Sequence, residues 1–299
     1  MTEQPQHIRQ QFGPYITLKL IGSGEQSAVF GAIHETSGKM VALRLLTIPR
    51  RHVQLVLDTC ESVLRDLAET TIPHAVRLHD FGHQDNTLYL ATTLLYGGTL
   101  LDRMNARSFG QDDTILPSIA DVLDLTARMA ITLDTLHQRE MVHGQLRPNS
   151  IIFDAQGNAH LTEIGLTRIL KIIYQLDTTN SFNMTRYSPP ELWNGERPSP
   201  ATDQYALACI VYQLLTGQVP FDGKSILTLM QAHADDVALP PHYIKPELPE
   251  NLALIFWQAL AKPVENRYPT VNAFYQDLQH CLNKTTQTSK TDFFTFPIH

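Results

Sequence analysis

The stretch Val142-His143-Gly144-Gln145-Leu146-Arg147-Pro148-Asn149-Ser150-Ile151-Ile152 constrains this chain more than any other. It follows a helical pattern in which Val122, Leu125, Met129, Leu133 and Leu136 recur at mixed three- and four-residue intervals. Within it, polar and titratable side chains, His143, Gln145, Arg147, Asn149 and Ser150, are interspersed with the apolar Leu146, Pro148, Ile151 and Ile152.

Patterning on either side divides the chain. Tyr15–Ile21 alternates as a half-buried strand does, Val29–His34 and Met40–Leu46 follow as two more strands around a turn at 36–39, and Val76–Phe81 and Leu88–Leu94 add a further pair. Between them, Val53, Leu57, Val63, Leu64 and Leu67 have helical spacing. From Ala120 onward the pattern is mainly helical: Pro200–Thr216 and Leu252–Leu260 are the clearest later helices, and Tyr268-Pro269-Thr270 opens a last one reaching about Leu282. The segment to about Gln11 is polar and expected to be loosely ordered. Near the other end, Phe293-Phe294-Thr295-Phe296 is read as a strand-like tail folded back on the domain, in preference to a docking peptide for a partner.

Composition matters chiefly for what it removes. A net charge of −7 and a pI near 6.0 supply no basic stripe for nucleic acid or anionic lipid, and no apolar run reaches the roughly 18 residues of a membrane span. Cys60, Cys209 and Cys281 are too few and too dispersed for a disulfide framework, and residues 1–7 lack the apolar core of a secretory signal. A cytoplasmic setting is expected, with the thiols acting as small packed hydrophobes.

The ordered motifs resemble those of protein kinases, most closely the bacterial serine/threonine kinases, over roughly residues 15–283. Ile21-Gly22-Ser23-Gly24-Glu25-Gln26-Ser27-Ala28-Val29-Phe30 resembles the glycine-rich loop, and Val41-Ala42-Leu43-Arg44 the strand that carries a phosphate-binding lysine. Val142–Ile152 resembles the catalytic loop, and Leu161-Thr162-Glu163-Ile164-Gly165 stands where Asp-Phe-Gly belongs. Tyr187-Ser188-Pro189-Pro190-Glu191 resembles the close of the activation segment, Asp203 opens a buried helix, and Glu265-Asn266-Arg267-Tyr268-Pro269 supplies the usual ion-pair partner of Glu191. The resemblance implies an α+β, bilobal fold: a small lobe at about 15–95 with a five-stranded antiparallel sheet and one helix, and a mainly helical large lobe at about 96–283. Residues 1–14 and 284–299 are then flanking segments.

The same resemblance implies ATP in the cleft between lobes. Gly22 and Gly24 would admit triphosphate to backbone N–H groups, Val29, Ala42 and Ile152 would sandwich the adenine, and the 92–95 backbone, including Thr93 and Leu95, would face its edge. Leu64, Leu78, His143 and Ile164 match the apolar column joining the lobes. The polar positions are altered. Arg44 replaces the compact lysine with a bulkier planar guanidinium, which could hold a phosphate or merely pair with an acid. Its usual glutamate partner falls on Cys60 or, with a one-residue shift, on Glu61.

Gln145 replaces the catalytic base, and an amide cannot ionise to take a proton near neutral pH; loss of such a base slows a reaction by about 10²–10⁴-fold. Arg147 is the loop's remaining charged group. Ser150 stands at an asparagine metal position, with Asn149 beside it pointing elsewhere, and Glu163 replaces the main metal aspartate with a longer carboxylate. Glu163 is open to two readings, metal ligation or pairing with Arg44, and retention of Mg²⁺ or Mn²⁺ is doubtful. Gly144 removes the arginine that binds a phosphorylated activation loop, and Met184 a hydroxyl near the substrate. The favoured expectation is a catalytically impaired kinase-like protein acting on protein partners as a regulatory or scaffolding module. The alternatives are a weakly active atypical serine/threonine kinase, in which Gln145 positions the hydroxyl of a protein substrate, and a scaffold that binds no nucleotide.

Overall fold

The computed structural model describes residues 9–23, 27–106, 116–175, 184–283 and 294. The chain divides between Leu95 and Tyr96 into two compact units, and the segment beginning at Gly165 belongs with the first.

The first unit is built on an antiparallel sheet of β1 (Gln11–Phe12), β2 (Tyr15–Ser23), β3 (Ser27–His34), β4 (Met40–Thr47), β5 (Leu78–Gln84) and β6 (Thr87–Thr93), in the order β1-β2-β3-β4-β6-β5. Five of these match the strands expected from alternation. The sixth, β1, lies at the edge of the segment expected to be loosely ordered; its Phe12 packs against the core of Tyr15, Ala32, Val41, Leu43, Tyr89 and Ala91. The Tyr15 hydroxyl donates to Asp80 Oδ2 at 3.1 Å, so burying the ring does not strand its polar tip.

Helix α1 (Val53–Glu69) buries Val56, Cys60, Val63, Leu64 and Leu67, one stripe at helical spacing. A second helix, α4 (Leu166–Gln175), packs against it through this unit, burying Leu166, Ile169 and Ile173. That helix is a departure from the sequence reading, which placed no element after Gly165. Gly165 itself has φ +75°, a left-handed backbone that favours glycine at the entry to α4, and a Cβ there would meet only the movable end of the Leu67 side chain.

The second unit is helical apart from the hairpin β7 (Ile151–Phe153) and β8 (Ala159–Leu161). Its α2 (Leu100–Ala106) is short, and α3 (Ile119–His137) opens with a reciprocal capping box between Ser118 and Asp121. After α5 (Pro190–Trp193), α6 (Pro200–Thr216) runs through the core with nearly every side chain buried and stops at Gly217, φ +81°. It is followed by α7 (Ile226–Asp235), α8 (Pro241–Ile244), α9 (Leu252–Ala259) and α10 (Val271–Asn283). Asp134 of α3 caps α10, accepting from the amides of Val271 and Asn272 at 2.9 Å each.

Two contacts bear on the sequence expectations for this unit. Glu191 and Arg267 form a two-pronged pair at 2.8 and 2.7 Å, with the guanidinium side chain fully buried and stacked 4.7 Å from the Tyr205 ring. Phe294 is buried and stacks on Phe153 at 4.9 Å, while the Arg103 guanidinium lies 4.2 Å from the same ring. The rest of the aromatic tail, with 284–293 and 295–299, lies outside the described residues, as do 1–8.

Candidate active site

In the second unit, a single buried carboxylate organises the segment 142–150. Asp203, in the first turn of α6, accepts from the His143 amide at 2.9 Å, the Gly144 amide at 2.7 Å and His137 Nε2 at 2.9 Å. Gly144 has φ +75°, a conformation glycine adopts without strain. The buried His143 ring has both nitrogens engaged: Nε2 lies 3.0 Å from the Thr162 carbonyl, and Nδ1 faces the Gln145 amide at 3.4 Å. The tautomer with hydrogen on Nε2 satisfies both contacts. His143 therefore links this loop to the residue just before Glu163.

That linkage sets the polar cluster. Glu163 has φ +64°, a left-handed backbone uncommon for a side-chain-bearing residue. Its Oε2 receives the Ser150 hydroxyl at 3.3 Å and lies 3.8 Å from Arg147 Nη2. Ser150 is fully buried, whereas Asn149 beside it is exposed. Gln145 is half-buried. Gln145 and Arg147 also line a shallow cleft with Thr185, Tyr187, Ser188 and Leu192. Its far wall is braced by the Tyr187 hydroxyl on Gln213 Oε1 at 2.7 Å and by Ser188 Oγ accepting from the Thr185 amide at 2.9 Å. Ile152 is half-buried on β7.

The donor set fits a divalent cation poorly. Mg²⁺ requires near-octahedral oxygen ligation, yet Ser150 and Glu163 are directed at each other and Arg147 places a fixed positive charge beside the carboxylate. No group of three or more His, Cys, Asp or Glu suited to a metal occurs among the described residues.

In the first unit, Gly22 pairs with Val29 and Val29 with Arg44 across β2, β3 and β4. Arg44 Nη1 donates to Ser27 Oγ at 3.4 Å, so the residues at the lysine and third-glycine positions touch. A Cβ on Gly22 would meet Val29 only at 3.9 Å, ordinary contact. Gly24 lies outside the described residues. Ala42 pairs with Thr92, whose hydroxyl donates to the Ala42 carbonyl at 3.2 Å. The Thr93 amide donates to Arg77 O at 3.0 Å, and its hydroxyl lies 2.9 Å from His79 Nε2. Burial, with Lys39 and Arg77 nearby, holds His79 below the usual imidazole range. Leu95, half-buried, closes the unit.

The helix alternative is settled by facing. Cys60 lies on the buried stripe of α1, its thiol pushed up to about 11 by burial against the opposing pull of Arg168. Glu61 is exposed and pairs with Arg65 at 2.6 Å. Asp58, Asp66 and Glu69 are exposed as well, so no acid of α1 lies on its buried face.

A two-unit α+β chain with a curled antiparallel sheet and a helical unit holding such a loop has the protein kinase fold. The chain belongs to the protein kinase domain family, whose model matches residues 15–289. It is 25% identical over 265 residues to a probable serine/threonine-protein kinase, PknB, of Lactococcus lactis, covering 88% of this chain and 41% of that protein. To the serine/threonine-protein kinase PknE of Mycobacterium tuberculosis it is 26% identical over 282 residues, covering 94% and 48%. The chain thus spans less than half the length of these relatives. Among solved structures, the M. tuberculosis PknI kinase domain superposes with a TM-score of 0.71 at 22% identity, covering 92% of this chain and 98% of that one. Rad53 residues 1–466 in complex with AMP-PNP superposes at 0.69 and 21% identity, covering 86% and 62%.

Sequence reasoning missed the Arg147–Glu163 contact and α4. The helical recurrence of Leu166, Ile169 and Ile173 was a usable signal for α4. The contact depends on the Glu163 backbone conformation, which leaves no signature in residue identity.

Proposed function

We infer that this chain is a catalytically impaired member of the protein kinase family, acting through protein partners as a regulatory or scaffolding module that retains nucleotide binding. The observation that carries this reading is the polar cluster itself. Gln145 offers an amide where proton acceptance is needed, while the carboxylate of Glu163 is engaged by Ser150 and Arg147. Phosphoryl transfer depends on positioning and charge neutralisation by several parts at once, and each polar part here is altered. Base recognition in this family uses apolar and backbone groups, and the residue types at the matching positions, Val29, Ala42, Ile152, Thr93 and Leu95, are compatible with it. AMP-PNP bound to the similar fold of Rad53 supports ATP as the ligand.

On this reading, 15–283 is the kinase-like region, with lobes at about 15–95 and 96–283. No helix among the described residues is long and apolar enough to cross a membrane, and three cysteines outside any disulfide suit a reducing cytoplasm. Weak serine/threonine kinase activity is the second reading. It is favoured by the serine/threonine kinases among the relatives and by the Gln145 amide at the cleft, which can hold a substrate hydroxyl.

Two measurements test the choice. Thermal unfolding with millimolar ATP is expected to show stabilisation, and its absence removes nucleotide binding from the reading. Incubation with radiolabelled ATP and a generic serine/threonine acceptor is expected to give no incorporation; incorporation abolished by Glu163→Ala would establish the kinase instead.

A further inference from the structure

The aromatic segment Phe293-Phe294-Thr295-Phe296 has no part in the proposed function, yet one of its rings is held. Phe294 is 7% exposed and stacks on Phe153 at 4.9 Å, with the ring planes 20° apart. It follows α10, which ends at Asn283, after ten intervening residues, 284–293. A tether of that length can span up to about 35 Å, so the ring can leave and return while α10 stays in place.

The surface that the ring meets is tied to the turn ahead of α2. Phe153 is fully buried in β7; the Gly97 amide donates to its carbonyl and its own amide donates to the Gly98 carbonyl, each at 2.9 Å. Arg103, 3% exposed in α2, places its guanidinium 4.2 Å from the centre of the Phe153 ring and donates from Nη2 to the Gly97 carbonyl at 2.7 Å. Gly97 itself lies so close that a Cβ would stand 2.6 Å from the carbonyl oxygens of Phe153 and Asp154. The turn 97–99, Arg103 and Phe153 are therefore one packed assembly, and Phe294 rests on it. Stacking is a directional preference of one ring for another, so this position selects a flat aromatic side chain over an aliphatic one.

We propose that Phe153, Arg103 and the turn 97–99 form a docking site for an aromatic peptide segment, occupied in cis by Phe294, and that its occupancy holds the turn in place. The site lies within the second unit and is independent of whether the chain binds nucleotide or transfers phosphate.

The site is tested on the whole chain by fluorescence polarisation with a labelled peptide of residues 290–299. Phe294→Ala vacates the site and is expected to bind this peptide saturably. In the wild type the resident Phe294 competes at an effective concentration of about a millimolar, so its apparent affinity for the peptide is expected to be weaker by at least about tenfold. The same peptide carrying Phe294→Ala should bind neither chain. Phe294→Leu, which keeps an apolar side chain without the ring, replaces Phe294→Ala if the latter does not fold. Hydrogen exchange reads the hold on the turn: in the Phe294 variant the Gly97 and Phe153 amides should exchange about tenfold faster, those of α6 should not, and added peptide should restore protection. Equal peptide binding by variant and wild type, or none by the folded variant at millimolar peptide, overturns the docking site. Exchange that is unaltered at Gly97 and Phe153, or accelerated through the whole unit, overturns its hold on the turn.

Discussion

Two polar clusters of the second unit differ in what their groups serve. Around Asp203 and around the Glu191–Arg267 pair, buried charges meet backbone amides, a histidine and each other at 2.7–2.9 Å. Beside Glu163, the Ser150 hydroxyl stands at 3.3 Å and Arg147 Nη2 at 3.8 Å, and Arg147 Nε is buried with no hydrogen-bond partner among the described residues. Buried polar groups that hold a fold must be satisfied within it, whereas groups that act on a ligand need not be. The contrast separates the groups that shape the loop, Asp203 and the His143 ring, from Gln145, Ser150 and Glu163, to which the proposed function assigns its chemistry.

The comparison is broken most severely at Arg267. Arg267→Leu leaves Glu191 buried without its cation, and loss of one partner of such a pair costs about 3–5 kcal/mol. Urea denaturation should show a drop of that size with an unchanged slope; a loss below 1 kcal/mol (about the worth of an exposed pair) would mean the cluster is not structural.

Asp203→Asn comes next. The amide keeps one acceptor oxygen and turns an NH₂ toward donors, leaving at least one of the His143 and Gly144 amides unsatisfied, at about 1–3 kcal/mol. Hydrogen exchange should accelerate at those two loop amides before it does within α6. Uniform acceleration would show that Asp203 supports the whole unit and not the loop in particular.

His233 sharpens the contrast through pH. Fully enclosed beside Tyr205, whose hydroxyl is 2.9 Å from Nδ1, it is lowered to about 4 by burial and by neighbouring Lys262. Its folded value lies below the unfolded one near 6.5, so the unfolded chain binds the extra proton between these values. Stability is therefore fully present above about pH 6.5 and is lost as pH falls toward 4, at up to about 1.4 kcal/mol per pH unit. His233→Phe should flatten that slope in denaturation measured from pH 7 to 4.5. An unaltered slope would assign acid sensitivity to other groups.

Much of this division could be read before any coordinates. Alternation located the strands from Tyr15 to Thr93 because one face of each packs on a core, and the burial of α6 was legible from its near-continuous apolar run. Periodicity could not decide between Cys60 and Glu61, since a one-residue shift rotates a helix by about 100°, and only packing against the unit shows which one turns inward. The segment after Gly165 was read as part of a motif frame, so its helical spacing went unused. At the site, residue types revealed which groups had changed, but not that Arg147 and Ser150 converge on Glu163. That convergence requires a left-handed backbone at Glu163 and a histidine bridge from the loop to Thr162.

The smallest expected effect is the most discriminating. Gln145→Asp returns a carboxylate to the base position, and a base acting alone is worth about 10²–10⁴ in rate. Here the gain in phosphate transfer to a generic serine/threonine acceptor should be less than about tenfold, because parts that act as a unit do not contribute separately. Glu163 would still be held by Arg147 and Ser150, so the restored base would have no correctly charged phosphate to work beside. Combining Gln145→Asp with Ser150→Asn and Glu163→Asp should therefore give more than the product of the separate gains. A hundredfold recovery from Gln145→Asp alone would mean that Ser150 and Glu163 already serve a metal, and that the groups around Glu163 lack a single residue for transfer.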